Sequence, residues 1–158
     1  MNIQNLLWSW KSFEQLTKNE LYEILSFRQS IFVVEQKSWY LDADGLDSIS
    51  LHLLLKKNKL IVGYLRLIPP GKKYDTPSIG RICISESLRG NSIGSELVQR
   101  GVQKSSDIYL SNSLTISAQT YLTQFYQNHG FITQGEACLL YTSDAADEGL
   151  GVDLGGRR

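Results

Sequence analysis

Apolar positions recur at two spacings along the chain, and each spacing predicts a different kind of element. Spacings of three and four residues predict helices, and short apolar runs between polar segments predict strands. The helices are predicted from Thr17 or Asn19 to about residue 32, over residues 92–104 and over residues 120–128. The strands are predicted over residues 6–10, 51–56, 60–68, 79–85, 114–118 and 131–132.

The order of these elements, β-α-β-β-β-α-β-α-β, predicts a single α+β domain. We expect a mixed, mostly antiparallel central sheet flanked by helices. The two strand-like runs around Lys57, Asn58 and Lys59 are typical of a hairpin. A length of 158 residues with 42% hydrophobic content agrees with one domain that has a core of its own.

The stretch over residues 78–98, SIGRICISESLRGNSIGSELV, combines a buried strand, a polar turn and an amphipathic helix that opens near Ser92. Gly90 and Gly94 allow a tight turn and a close approach of the backbone to a ligand. The first turn of a helix offers N–H groups without a helical acceptor and a partial positive charge, which together bind phosphate oxygens. The stretch therefore predicts a site for a phosphorylated cofactor.

The spacing of these glycines excludes two common nucleotide-binding loops. No Gly-Lys-Ser/Thr ends the turn, so it is not the phosphate loop of an NTPase. The spacing also differs from the dinucleotide fingerprint, and the flanking hairpin is not a βαβ unit. The residues by themselves support a pyrophosphate or anion site and no narrower ligand.

Acidic and aromatic residues crowd the segment over residues 33–47, VVEQKSWYLDADGLD. Its DADGLD resembles the start of an EF-hand calcium loop, but Leu53 stands where that loop needs a bidentate glutamate, which excludes calcium. Two interpretations stay open: a loop that holds a cationic amine beside a substrate entrance, or a solvated surface loop. Arg28, on the apolar stripe of the preceding helix, needs a partner or a phosphate unless it extends into solvent.

The C-terminal segment from about Cys138, CLLYTSDAADEGLGVDLGGRR, has no clear helical or strand period. It resembles the translation of a transposon-based sequencing adapter, in which two fixed blocks flank a variable index. The alternative is a natural acidic tail. We therefore predict one domain over residues 1–137 and a non-native tail over residues 138–158.

Composition and charge limit the classes of partner. No apolar run reaches the roughly 20 residues that span a bilayer, and the N-terminus lacks the features of a signal peptide. Cys83 and Cys138 form no disulfide or ligand pattern, so we predict a cytoplasmic protein without a metal. The chain has 16 basic and 16 acidic residues, of which the tail holds two and four, so the domain is near +2. This balance favours neither nucleic acid nor membrane as a partner.

The segment RGNSIG, over residues 89–94, resembles the acyl-CoA pyrophosphate loop of GNAT N-acetyltransferases, whose pattern is Arg/Gln-x-x-Gly-x-Gly/Ala. Arg89 and Gly94 match this pattern, whereas Ser92 stands where the first loop glycine is usual. Three segments resemble the ElaA-like branch of that superfamily and follow its order: FRQSIFVVEQKSWYLDADGLD, IGRICISESLRGNSIG and AQTYLTQFYQNHGF.

The resemblance implies a GNAT-like fold whose central strands splay apart, with coenzyme A entering the wedge. It implies that the strand through Ile82 and Ile84 pairs with the pantetheine arm, and that a backbone N–H near Ile84 polarises the thioester carbonyl. Core packing is the alternative role of these isoleucines, and we expect Cys83 to be a small buried hydrophobe rather than an acyl-cysteine. The implied cofactor-binding residues are Ile82, Cys83, Ile84, Arg89, Gly90, Asn91, Ser92, Ile93, Gly94 and Ser95.

Tyr126 matches the family tyrosine near the coenzyme A sulfur, and the resemblance implies that its phenol protonates the departing thiolate. A core tyrosine is the alternative. The general base stays open, because a carboxylate, a histidine or a water chain can each take the proton of the amine. Glu35 is the first choice, slightly ahead of a water-mediated path, and His52 is more typical of a structural strand histidine. The candidates are Glu35, Asp42, Asp44, Asp47 and His52.

The function implied is transfer of an acetyl or other acyl group from acetyl-CoA to a primary amine by direct attack, without a metal. The acceptor class is a small-molecule or peptide amine, and neither its identity nor the oligomeric state is predicted. The alternative is a catalytically weak acyl-CoA-binding or regulatory module.

The resemblance also implies a last strand that follows residues 131–137 and pairs with them. Because the adapter-like segment takes its place, we expect the native last strand to be missing. Residues 139–142 could imitate a short strand by chance, which would leave one sheet edge mispaired and the chain less stable. Beyond Ser143 we expect disorder or loose coil.

Overall fold

The computed structural model describes residues 4–134 and 138–142, which form seven strands and three α-helices. The strands are β1 (Leu6–Ser12), β2 (Leu51–Lys57), β3 (Leu60–Ile68), β4 (Ser78–Ile84), β5 (Ser113–Ser117), β6 (Phe131–Thr133) and β7 (Cys138–Thr142). The helices are α1 (Lys18–Gln29), α2 (Ile93–Tyr109) and α3 (Thr123–Gln127). The chain divides into two units, Met1–Leu67 with Arg81–Leu97 and Ile68–Gly80 with Val98–Arg158.

The first unit contains β1, β2, β3 and the second half of β4. β1 pairs antiparallel with β2 along its whole length, and β2 pairs antiparallel with β3. The N–H of Ser85 donates to the carbonyl of Val62 at 2.8 Å, which places the end of β4 beside β3. All four predicted strands are confirmed, each within two residues of its predicted bounds.

The turn between β2 and β3 confirms the predicted hairpin. Its two residues, Asn58 (φ 51°) and Lys59 (φ 70°), both adopt the left-handed backbone conformation. This geometry matches the right-handed twist of two strands joined by a two-residue loop.

Helix α1 begins at a capping box. The N–H of Glu20 donates to the Thr17 hydroxyl at 3.0 Å, and the N–H of Thr17 donates to the Glu20 carboxylate at 3.0 Å. Thr17 rather than Asn19 is therefore the N-cap. After Gln29 the chain continues as a π-helix, Ser30–Glu35, where a single α-helix to about residue 32 was expected. The apolar spacing does not reveal the wider turn, because Ile31 is the one buried residue of this short π-helix and a single position defines no period.

The core of the first unit lies on both faces of its sheet. One cluster of buried residues packs α1 against β2, β3 and β4, and it consists of Ile24, Ile31, Leu54, Ile61, Tyr64 and Cys83. The other cluster consists of Leu55, Leu88 and Ile93, against which Ile84 and Trp8 also pack. This second cluster anchors both ends of the polar turn between β4 and α2.

The second unit contains the first half of β4, most of α2, and all later elements. β4 pairs parallel with β5 at Ser78↔Thr115 and Ile79↔Ile116. β7 lies between β5 and β6 and is antiparallel to both. The predicted helix over residues 120–128 is a 3₁₀ turn, Thr120–Leu122, followed by the short α3. The two units together confirm the predicted mixed, mostly antiparallel α+β fold.

Strand β7 corresponds to the segment expected only to imitate a strand. Because β7 is paired on both sides, the expectation of a mispaired sheet edge there is wrong. The adapter origin of residues 138–158, the missing native strand and the domain boundary after residue 137 stay predictions, and the expected coil beyond Ser143 lies outside the described residues. Among the described helices, none combines the length and apolar character needed to cross a bilayer.

Candidate functional site

The turn between β4 and α2 holds the predicted anion site. After a 3₁₀ turn at Glu86–Leu88, Gly90 adopts φ +82° and Ser92 adopts φ +62°, and α2 then begins at Ile93. The side-chain amide of Asn91 donates to the carbonyls of Leu88 and Arg89 at 3.2 Å each. The turn is therefore closed on itself, directly in front of the positive end of a long helix.

Gly90 and Ser92 differ in what the backbone demands of them. A Cβ at Gly90 would meet no atom within 4 Å, so only its left-handed backbone favours glycine there. Ser92 has the same kind of backbone with a Cβ, which costs about 1–2 kcal/mol for an ordinary residue. The structure thus gives Ser92 the geometry of the glycine that is usual at this position. Ile93 is buried, and Gly94 and Ser95 lie half-buried in the first turn of α2.

Arg89 and Glu35 are brought together although they lie 54 residues apart in the sequence. The Arg89 guanidinium donates to both carboxylate oxygens of Glu35, at 2.7 and 3.0 Å, and to the Ile84 carbonyl at 3.2 and 3.1 Å. The hydrogen bonds from Arg89 hold the pKa of Glu35 below its usual value. A carboxylate so paired is a poor proton acceptor, which argues against Glu35 as the general base.

Along β4, side chains of Ile82 and Ile84 are half-buried and Cys83 lies in the core. Burial raises the pKa of the Cys83 thiol well above its usual value. The thiol therefore stays protonated, which supports the small buried hydrophobe over the acyl-cysteine.

His52 is fully buried on β2 and uses both ring nitrogens. Nε2 lies 2.9 Å from the Asp47 carbonyl oxygen, and Nδ1 lies 2.6 Å from the Tyr64 hydroxyl. Since a carbonyl can only accept, Nε2 carries the proton and Nδ1 accepts from Tyr64. Burial lowers the pKa of His52, so the ring is neutral and its acceptor nitrogen is occupied. This arrangement argues against His52 as the general base.

Arg28 is fully buried on α1 and is neutralised by the acidic loop. Its Nε donates to Asp42 Oδ2 at 2.9 Å, its Nη1 to Asp47 Oδ1 at 2.7 Å, and its Nη2 to the Asp42 carbonyl at 2.8 Å. Of the two interpretations of Arg28, the buried partner is confirmed and the solvent-exposed head is wrong.

A second buried arginine, Arg66 on β3, holds the other end of the loop. Its Nη1 and Nη2 donate to the two carboxylate oxygens of Asp44 at 2.8 and 2.7 Å, and Nη1 also donates to Asp47 Oδ1 at 2.9 Å. Burial by itself would raise the pKa values of Asp44 and Asp47, but hydrogen bonds from Arg66 lower that of Asp44, and hydrogen bonds from Arg28 and Arg66 lower that of Asp47. Both acids are therefore ionised at neutral pH.

The acidic loop is neutralised as a whole by arginines from three elements. Arg81 of β4 completes the set, with Nε 2.9 Å from Asp42 Oδ1 and Nη2 3.2 Å from Asp44 Oδ2. Most residues of the loop are exposed, as expected of a solvated surface loop. Its carboxylates are paired with arginines, which argues against a receptor for a cationic amine. The sequence pattern did not identify Arg66 and Arg81 as residues of this cluster. Each of these arginines lies inside an apolar strand run, and this position indicates an ion pair because a buried charge requires a partner.

Tyr126 lies on α3 in the second unit, 4% exposed. Its ring makes edge-to-face contacts with Phe125 at 5.0 Å and Phe131 at 5.8 Å between centroids. Burial raises the pKa of the phenol, so Tyr126 is protonated at neutral pH. These contacts are those of a core tyrosine, and the protonated state is the one that a general acid needs. Among the described residues, no group of three or more metal-ligating side chains is placed to hold a metal.

A family profile described as "Acetyltransferase (GNAT) domain" matches residues 16–139. The chain belongs to the GNAT acetyltransferase family. This GNAT protein is 43% identical over 130 residues to the UPF0039 protein sll0451 of Synechocystis sp., covering 82% of this chain and 84% of that one. It is 33% identical over 127 residues to protein ElaA of Escherichia coli, covering 79% of this chain and 83% of ElaA.

Two solved structures place this GNAT protein among close structural neighbours. An acyl-CoA N-acyltransferase from Pseudomonas aeruginosa superposes with a TM-score of 0.82 at 32% identity, over 87% of this chain and 99% of that one. Escherichia coli ElaA superposes with a TM-score of 0.81 at 29% identity, over 86% and 99% of the two chains. These comparisons confirm the GNAT resemblance and its ElaA-like character.

Proposed function

We propose that this protein transfers an acetyl group from acetyl-CoA to a primary amine by direct attack. The observation that carries the proposal is the turn before α2, in a GNAT chain, with left-handed backbone at both Gly90 and Ser92. The Pseudomonas aeruginosa neighbour is named an acyl-CoA N-acyltransferase, which supports an acyl-CoA thioester as the donor.

The turn would hold the pyrophosphate of coenzyme A. The N–H groups at the start of α2 and its positive end favour phosphate oxygens. Arg89 would keep its pair with Glu35 and donate one further hydrogen bond to a phosphate oxygen, since Nη1 carries a second N–H. The backbone of β4 from Ile82 to Ile84 would pair with the pantetheine arm, and an N–H near Ile84 would polarise the thioester carbonyl.

In the proposed reaction, the amine nitrogen attacks the thioester carbonyl carbon, forming a C–N bond while the C–S bond breaks. The sulfur leaves with its electron pair and takes a proton from the Tyr126 hydroxyl. The amine nitrogen loses its proton to water, and that proton restores the phenol. We assign the base to water because Glu35 is paired with Arg89 and His52 is occupied by Tyr64.

Calorimetry with coenzyme A and acetyl-CoA tests donor binding. The wild-type chain is expected to bind both, and Arg89→Ala is expected to weaken each about tenfold or more, because a charge-assisted hydrogen-bond donor to phosphate is lost. Lys18→Ala, which removes an exposed cation elsewhere in the same unit, is the matched control and should bind like wild type. Absence of binding to either compound in the wild-type chain would contradict the proposal.

The second candidate function, an acyl-CoA-binding or regulatory module, is favoured by the engagement of both Glu35 and His52 in internal hydrogen bonds. Release of free thiol from acetyl-CoA, followed across a panel of primary amines, separates the two functions. Amine-dependent release supports the transferase. Donor binding without release on any amine supports the module.

A further inference from the structure

We propose that Arg81 is a positioning residue that fixes the backbone of β4 by gripping the acidic loop. This inference rests on the proposed function, because it assigns Arg81 to the strand that would hold the acyl donor. The Arg81 side chain has no role in the proposed binding of the pyrophosphate or in the proposed proton transfer.

The backbone of Arg81 is the first observation. Arg81 lies in the middle of β4, yet its φ is +52°. This is a left-handed conformation in a strand that is otherwise extended, at a residue that carries a Cβ. Such a conformation persists only where the surroundings hold it in place.

The side chain of Arg81 supplies that hold, and its contacts come from residues 40–44. Its Nη2 donates to the Asp42 carbonyl at 3.1 Å and to Asp44 Oδ2 at 3.2 Å, and its Nε is ion-paired with Asp42 Oδ1 at 2.9 Å. Its guanidinium carbon lies 5.1 Å from the centroid of the Tyr40 ring, in cation–π contact. The guanidinium is therefore fixed from three sides.

The loop that Arg81 grips is itself anchored to other elements. Arg28 of α1 holds Asp42, and Arg66 of β3 holds Asp44. Both of these arginines are fully buried. The residues that Arg81 contacts are therefore held in place by other arginines. The contacts of the Arg81 side chain with them can hold the backbone of Arg81 in its left-handed conformation.

The consequence falls on the next residues of β4. A left-handed residue within a strand re-aims the peptide groups that follow it, as a bulge does. Ile82 follows Arg81 directly, and Cys83 is inserted into the core. The contacts of Arg81 with the acidic loop therefore set the direction of the N–H and C=O groups of Ile82 and Ile84. In the proposed function these groups bind and polarise the thioester.

Substitutions of Arg81 separate the effect of its side-chain contacts from the effect of its left-handed backbone. Arg81→Gly removes the side chain but allows the left-handed conformation without strain. Arg81→Lys keeps the charge and loses the planar fork. Lys59→Gly is the matched control, since Lys59 is also a cation with positive φ, at 70°, but lies in the exposed hairpin turn.

Two readouts are measured on each folded variant: amide hydrogen exchange at residues 82–84, and kcat and KM for acetyl-CoA. Arg81→Gly is expected to speed exchange and to lower kcat by at least about tenfold, with a smaller change in KM, because a misplaced reacting group slows chemistry more than binding. Arg81→Lys should restore part of both, and Lys59→Gly should alter neither.

Unchanged exchange at residues 82–84 in Arg81→Gly would overturn the inference, and so would an equal effect of Lys59→Gly. If Arg81→Gly does not fold, Arg81→Lys with unchanged exchange and kcat would overturn it as well. The exchange measurement does not depend on turnover. A wild-type chain that binds no acetyl-CoA would therefore contradict the proposed function. The exchange data would still decide whether Arg81 fixes the backbone of β4.

Discussion

At the scale of single residues, Ser92 shows how a sequence departure takes its meaning from the backbone. The sequence marks it only as a serine where related loops have glycine. In the structure its φ of +62° shows that the position has kept the conformation that favours glycine. The serine therefore carries local strain, and the turn holds its shape in spite of this residue rather than because of it.

We predict that Ser92→Gly stabilises the protein by up to about 1 kcal/mol, because relief of left-handed strain exceeds the extra entropy of glycine in the unfolded chain. Urea unfolding measures the change. Ser106→Gly, the same substitution on an exposed helical position of α2, should instead destabilise by roughly 0.5–1 kcal/mol. A loss of stability in Ser92→Gly equal to that in Ser106→Gly would contradict the strain argument.

At the scale of elements, β7 is the strand whose role depends most on its neighbours. By itself its sequence is a short apolar run. Placed between β5 and β6, it supplies hydrogen bonds to both and buries Leu139, which is 2% exposed. The stability of the second unit should therefore depend on this segment, whatever the origin of its sequence.

We predict that a chain ending at residue 137 is less stable than a chain ending at residue 142 by at least about 2 kcal/mol, the scale of one buried leucine. The loss arises because β5 would be left with an unpaired side and β6 would lose the strand with which it pairs. Thermal and urea unfolding of the two truncated chains give the comparison. Equal stability of the two chains would show that β7 contributes nothing to the fold.

At the scale of the whole molecule, the protein has no net charge, but ion pairs are concentrated at a few buried positions. Burial would raise the pKa of Glu20, yet hydrogen bonds from Lys11 and Lys56 lower it to about 2. In the same way, hydrogen bonds from Arg66 lower the pKa of Asp44, and those from Arg28 and Arg66 lower the pKa of Asp47. The unfolded chain therefore binds protons before the folded chain does as the pH falls.

Because these carboxyl pKa values are depressed in the folded state, their stabilisation is complete above the unfolded values and is lost as the pH falls through the folded ones. We predict that the free energy of unfolding begins to decrease below about pH 6.5, where His52 takes up a proton only in the unfolded chain, and decreases further from about pH 5 toward about pH 2 as the carboxylates are protonated. Urea unfolding at each pH measures this slope.

Glu20→Gln tests the contribution of one of these groups to the slope. It should lower stability at pH 7 by about 1–3 kcal/mol and flatten the decrease below pH 5. An unchanged slope in this variant would remove Glu20 from the explanation.

The sequence by itself determined most of the elements and the position of the turn before α2. The hairpin at Asn58, the strand before Arg89 and the helix after Ser92 depend on residues close together in the chain, so spacing and turn chemistry are enough to predict them. The spacing does not reveal the π-helix, because this segment is six residues long and buries only Ile31.

Only the tertiary structure decided what the charged residues do. Burial requires that Arg28 and Arg66 have partners, but it does not say which carboxylates provide them, because the partners lie 14 to 22 residues away and the choice depends on how strands and loop pack. The same reason applies to the pairing of Glu35 with Arg89, which argues against Glu35 as the general base. Its partner is 54 residues distant and becomes a neighbour only when the π-helix and the turn before α2 are both in place.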